Sequence, residues 1–112
     1  MSKRYCLGLD LHNDPKIIDE YVRYHADVWP EIKQSLRDCG LLDMEIYLLG
    51  NRLFMIIETD ATFSFERKRQ MDEANPKVRE WEALMGAFQK ALPQSTPGQK
   101  WVPAKLVFKL AE

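Results

Sequence analysis

The sequence predicts an α+β domain whose elements follow the order β-α-β-β-α-β, and three observations carry that reading. Two alternating apolar runs, 41–49 and 52–58, flank the turn pair Gly50-Asn51, which is the signature of a β-hairpin. Apolar or aromatic residues recur at Ile18, Tyr21, His25, Val28, Ile32 and Leu36, the i, i+3, i+4 spacing of a helix laid on a core. Alternating runs also open and close the chain, at 4–11 and 101–110. Strands and helices in this order make the split βαβ, or ferredoxin-like, pattern: four antiparallel strands with helices on one face.

Taken in order, residues 4–11 set Tyr5, Leu7, Leu9 and Leu11 on one strand face and Cys6, Gly8 and Asp10 on the other. Gly8 leaves room for a close approach to the backbone. His12-Asn13-Asp14-Pro15 is turn chemistry that starts a helix, with proline near its first position. That helix is expected over 15–39, kinked or broken at Trp29 by Pro30 and ended by Gly40. His12 falls in the turn and is read as solvated. In the hairpin, Leu42, Met44, Ile46 and Leu48 oppose Asp43, Glu45, Tyr47 and Leu49. Thr62 is placed to cap a helix over 63–74, whose Glu66-Arg67-Lys68-Arg69 run reads as a solvated face. Asn75-Pro76 interrupts, and a helix over 77–92 carries Val78, Trp81, Met85, Phe88 and Leu92 inward. Residues 93–100 form a loop, and 101–110 a last strand.

Composition bounds the function. At 112 residues, 46% of them hydrophobic, the chain (1–112) is one domain with a modest core, for which an oligomer is a natural complement. Phe54, Ile56, Leu49 and Val107 give the helix-free face enough apolar surface to meet a second sheet, the dimeric α/β barrel arrangement. A net charge of −1 with scattered Lys and Arg leaves no basic footprint for nucleic acid or an anionic membrane surface. No apolar run approaches the ~20 residues of a membrane span, and no signal segment opens the chain. Cys6 and Cys39 lack metal or redox spacing and suit a reducing, cytoplasmic setting.

Phosphate-binding loops, nucleophile elbows and zinc signatures are absent from the sequence, so neither metal nor cofactor is expected. What remains is the inward face of the helices. Tyr21 and His25 lie one turn apart on the buried stripe, where a solid core would more simply use Leu or Ile. With Trp81, Met44 or Ile46, and Trp29 at the kink, they outline a pocket suited to a small ligand that is apolar on one side and hydroxylated on the other. Spacing alone leaves each residue open: His25 between a satisfied core histidine and a proton-transfer group, Trp81 between core and pocket wall. Trp29 reads first as a packing anchor, and Met44 as core.

The string Tyr21-x-x-x-His25-x-x-x-Trp29-Pro30-Glu31, followed by Gly40, Ile46-Tyr47, Asn51-x-Leu53-Phe54, Trp81 and Met85, resembles the L-rhamnose mutarotase family across nearly the whole chain. Members are small ferredoxin-like dimers that interconvert the α and β anomers of a deoxy-sugar without a cofactor. The resemblance implies a monosaccharide partner, His25 as proton donor, Tyr21 as a sugar contact and Trp81 as an aromatic wall. Two positions depart from the rhamnose type: Met44 stands where a sugar-contacting tyrosine is expected, and Glu82 where the second of a tryptophan pair is expected. A changed pocket around an unchanged Tyr21–His25 pair implies the same reaction on another sugar. Asp43-Met44-Glu45-Ile46-Tyr47 with Gly50-Asn51-Arg52-Leu53-Phe54-Met55 is similar to the L-fucose branch. A carboxylate or Tyr21 is expected to handle the second proton, with Glu82 and Glu45 as the candidate carboxylates. The rival expectations are a cofactor-free monooxygenase or haem-degrading protein of the same fold, and a non-enzymatic small-ligand sensor; fold alone does not choose among them.

Overall fold

The computed structural model describes residues 2–111. Along them run β1 (Lys3–Leu11), α1 (Pro15–His25), α2 (Pro30–Asp38), β2 (Leu41–Leu49), β3 (Arg52–Thr59), α3 (Phe65–Ala74), α4 (Pro76–Gly86), β4 (Gln89–Lys90) and β5 (Val102–Pro103). The strands pair antiparallel in the order β2-β3-β1-β4, and β5 also pairs with β1. This is the expected ferredoxin-like α+β architecture, with each helical region divided in two. Among the described residues no helix is long and apolar enough to cross a membrane.

Local chemistry explains the divisions. The Asp14 carboxylate accepts the Lys16 N–H at 2.9 Å, and Pro15 opens α1 where its missing N–H costs nothing. Pro30 stops that helix from continuing and opens α2 instead. Gly40 follows α2 at φ +102°, and a Cβ there would stand 2.6 Å from Asp60 Oδ1, so only glycine fits the corner. Asn75 separates α3 from α4 and caps the latter, its Oδ1 accepting from the Lys77 and Val78 N–H groups. In the hairpin Gly50 takes φ +62° while Asn51 stays at negative φ, as in a type II′ turn. Asn51 Nδ2 then donates to the Leu11 carbonyl at 2.9 Å and ties the hairpin tip to β1.

The main core lies between the sheet and the helices: Leu9 and Leu53 are 1% exposed and Leu11 is fully buried. Tyr21 and Ile32 from the first helices and Val78, Trp81, Met85 and Phe88 from the last segment close over them. On the opposite face Phe54 and Ile56 are half-buried, whereas Tyr47 and Leu49 are exposed.

Four expectations need correction. The closing strand is two residues long, not 101–110. After Ala104 N–H donates to the Cys6 carbonyl, the chain leaves β1, and Leu106, Val107, Phe108 and Leu110 are exposed. Alternation makes a segment able to pair, but pairing needs an edge beside it. The last helix ends at Gly86 rather than Leu92, and the chain enters β4, which pairs Gln89 with Leu11. In β2 a bulge falls between Leu41 and Asp43, so Leu41 is buried and Leu42 is turned out. Ser64, not Thr62, caps α3; the Thr62 N–H and hydroxyl both bond to Asp60. Within the charged run, Arg67 is only partly solvated: its guanidinium donates to the carbonyls of Cys39 (3.1 Å) and Asp38 (3.3 Å), capping the C-terminus of α2. His12 is exposed, as expected.

Candidate functional site

Between the helices and the sheet lies an open cavity of about 720 Å³. Tyr21 and His25 come to it from α1, Met44 and Ile46 from β2, Trp81, Glu82 and Met85 from α4, and Gln89 from β4. Charged side chains, among them Lys33, Arg37, Lys68 and Asp72, stand around another part of its wall. Five of the six residues singled out in the sequence therefore meet at one place: Tyr21, His25, Met44, Trp81 and Glu82. Trp29 does not line the cavity. Its ring sits edge-on to Trp81, with centroids 5.0 Å apart, and the Lys77 ammonium lies 5.6 Å from its centre. It acts as a packing anchor that holds Trp81, because Pro30 fixes it at the break between the helices. Glu45 is also outside: it belongs to the exposed face of β2, where the Tyr47 hydroxyl donates to it at 3.3 Å.

One turn of α1 sets the central pair. His25 Nδ1 lies 2.8 Å from the Tyr21 carbonyl oxygen. A carbonyl only accepts, so Nδ1 carries hydrogen and the neutral ring presents Nε2 as a bare acceptor. Among the described residues Nε2 has no hydrogen-bond partner. The imidazole is 4.3 Å, centre to centre, from the Tyr21 ring and meets Trp81 nearly edge-on at 5.6 Å. In that setting burial lowers the His25 pKa, opposed by the hydrogen bond to the Tyr21 carbonyl. The ring at rest is a neutral base. Burial likewise pushes the Tyr21 phenol up to about 12, with Gln89 pulling the other way, so Tyr21 stays protonated. The Glu82 carboxyl is raised, first by burial and then by the negative charge of Asp72. Among the described residues no cluster of His, Cys, Asp and Glu is arranged to hold a metal ion.

Gln89 was not anticipated. The helical count ran through it, and the only local hint was Gly86-Ala87 after Met85, a plausible helix end. It reaches the cavity because it pairs with Leu11 across β1 and β4.

Fold and site together define a class: a small ferredoxin-like α+β protein that holds an aromatic cavity with one free imidazole nitrogen. The family model described as L-rhamnose mutarotase matches residues 4–110, and the chain belongs to that family. It is 42% identical over 112 residues to an L-fucose mutarotase of Xanthomonas campestris, covering 98% of this chain and 90% of that one. To an L-rhamnose mutarotase of Paraburkholderia phytofirmans it is 30% identical over 99 residues, 87% of each chain. Among solved structures, the L-rhamnose mutarotase of Formosa agariphila superposes with a TM-score of 0.72 at 22% identity, covering 97% of this chain and 99% of the other.

Proposed function

We propose that this protein is a monosaccharide mutarotase that interconverts the α and β anomers of a 6-deoxyhexose, with L-fucose preferred over L-rhamnose. The observation that carries the reading is His25 Nε2: a free base in a cavity whose other walls are a phenol and an indole. Family membership supports the reaction. The preference for L-fucose rests on Met44 and Glu82 and on the greater identity to the L-fucose relative.

The chemistry follows from the resting ring. Nε2 accepts the proton of the anomeric hydroxyl, and the imidazolium so formed donates it to the ring oxygen as the bond from that oxygen to the anomeric carbon breaks. Both oxygens sit on one carbon, within reach of one nitrogen. The products are an open-chain aldehyde with a free hydroxyl and a neutral His25. Rotation of the aldehyde and the reverse transfers close the ring on the other face. His25 is thus the proton donor to the ring oxygen, and no second group has to change its charge. Throughout, the Nδ1–H bond to the Tyr21 carbonyl keeps the ring oriented. Trp81 and Met44 meet the apolar face and methyl group of the sugar, and Tyr21 its hydroxyls. Glu82, whose carboxyl burial pushes above the usual carboxylate range, contacts the sugar from α4 beside Trp81.

The working form is a homodimer in the cytoplasm, with the open sheet faces of two copies opposed. The exposed Tyr47 and Leu49 support this assembly, as do the half-buried Phe54 and Ile56. Cys6 and Cys39, both free, fit a reducing compartment. The test is NMR saturation-transfer exchange between the anomeric protons of L-fucose, and separately of L-rhamnose, with catalytic protein at neutral pH. Faster exchange for L-fucose is expected. Acceleration of neither sugar, with binding intact, would leave a sugar sensor; neither acceleration nor binding sinks the reading.

A further inference from the structure

Gln89 poses a question that the reaction above leaves unanswered. Its Oε1 is buried without a hydrogen-bond partner, alone in this among side-chain nitrogens and oxygens of the described residues. Buried polar groups are nearly always paired, and an unpaired one calls for an explanation. Simple packing would be better served by Leu or Met at this position, which fill the same space without a stranded acceptor.

The position is fixed from below. β4 pairs Gln89 with Leu11 and Lys90 with Asp10. Side chains of directly paired residues lie on the same face of a sheet, and Leu11 is fully buried on the helix side. Gln89 therefore projects upward beneath α1, toward Tyr21. The Phe88 carbonyl, which accepts from the His12 N–H at 3.0 Å, anchors the strand just ahead of it. Tyr21 and Gln89 both line the cavity; the Gln89 side chain hydrogen-bonds to the Tyr21 phenol and holds its pKa down against burial, while no acceptor among the described side chains takes the phenol hydrogen. A protonated phenol and a buried carbonyl-type acceptor without a partner thus stand side by side in the wall.

We propose that Gln89 is a specificity-determining sugar contact, its Oε1 accepting a hydrogen bond from one hydroxyl that in turn accepts from the Tyr21 O–H. A sugar hydroxyl both donates and accepts, so a single group satisfies both side chains. A C–H or methyl at that place leaves both stranded, which rejects sugars lacking a hydroxyl there. The inference rests on the mutarotase reading and adds a recognition element to it.

The experiment measures anomer exchange of L-fucose and its monodeoxy analogues with wild type, Gln89→Leu and Gln89→Met. Gln89→Met keeps the linear shape and serves if Gln89→Leu does not fold, as judged by circular dichroism. The half-saturating L-fucose concentration is expected to rise roughly 3- to 10-fold in the variants, the range for one lost neutral hydrogen bond, with the limiting rate within about twofold. One analogue should lose a similar factor with wild type and nothing further with the variants. Unchanged half-saturation, or equal losses for every analogue in variant and wild type, overturns the assignment while leaving the mutarotase reading in place. Absence of exchange and binding in wild type overturns that reading, and this contact with it.

Discussion

The two faces of the sheet differ in how far one chain completes them. Under the helices Leu7, Leu9, Leu11, Leu53 and Ile57 are all 5% exposed or less. On the other face Leu49 remains 72% exposed. The tail that leaves β1 adds Leu106, Val107, Phe108 and Leu110 to the apolar surface in contact with water. The lesson is a division of labour. Core and cavity belong to the single chain, whose helices cover one side. The open side is left uncovered by the chain itself, and its side chains are not spent on folding.

Substitutions that act on one face only can break this comparison. The largest effect is expected at the site. His25→Ala should slow anomer exchange by roughly 10²–10⁴-fold, the usual worth of a placed proton-transfer group, with the circular dichroism spectrum unchanged. Full activity in that variant would remove His25 from the chemistry. Next, Leu53→Ala should cost about 2–5 kcal/mol in denaturant unfolding, as truncation of a fully buried leucine does. Leu49→Ala on the neighbouring strand should stay within about 0.5 kcal/mol when both proteins are unfolded at monomer-favouring dilution. Equal costs would mean that the two faces are not distinct in the folded monomer.

Phe54→Glu places a charge on the open face, whereas Gly8, its partner across β1, cannot compensate. Light scattering should then report monomers where wild type gives dimers, and folding should persist because the helix-side core is untouched. The smallest effect sharpens the site. In the proposed mechanism the neutral form of His25 is the active one, and burial lowers its pKa. Activity should therefore be full at pH 7 and be lost as pH falls through a midpoint below the ordinary 6.5. A midpoint above 6.5 in kcat/KM would contradict a buried neutral base.

Much of this was legible in the residues because periodicity reports which face is buried. Tyr21 and His25 stand out as polar-tipped rings on an apolar stripe, and the hairpin follows from alternation around Gly50-Asn51. What escaped depends on contacts that a single segment does not encode. Leu42 follows the alternation, yet the bulge turns it outward, since bulges are settled by the fit of two strands. The run Trp101–Leu110 has the right pattern, but only Val102 and Pro103 find β1 beside them. Gln89 was hidden in a helical count that Phe88 and Leu92 happened to satisfy. Arg67 looked like one charge among four until the carbonyls at the end of α2 were in place beside it.

The three tryptophans add a property beyond packing. Trp81 and Trp101 line the cavity, and Trp29 leans on Trp81. Every indole of the chain is thus close to the place where a ligand would lie, and His25 stands 5.6 Å from Trp81. An imidazolium quenches indole emission where a neutral imidazole does so weakly. The protein's own fluorescence becomes an optical titration of His25 without any substrate, and a sugar seated against Trp81 would be visible by the same light.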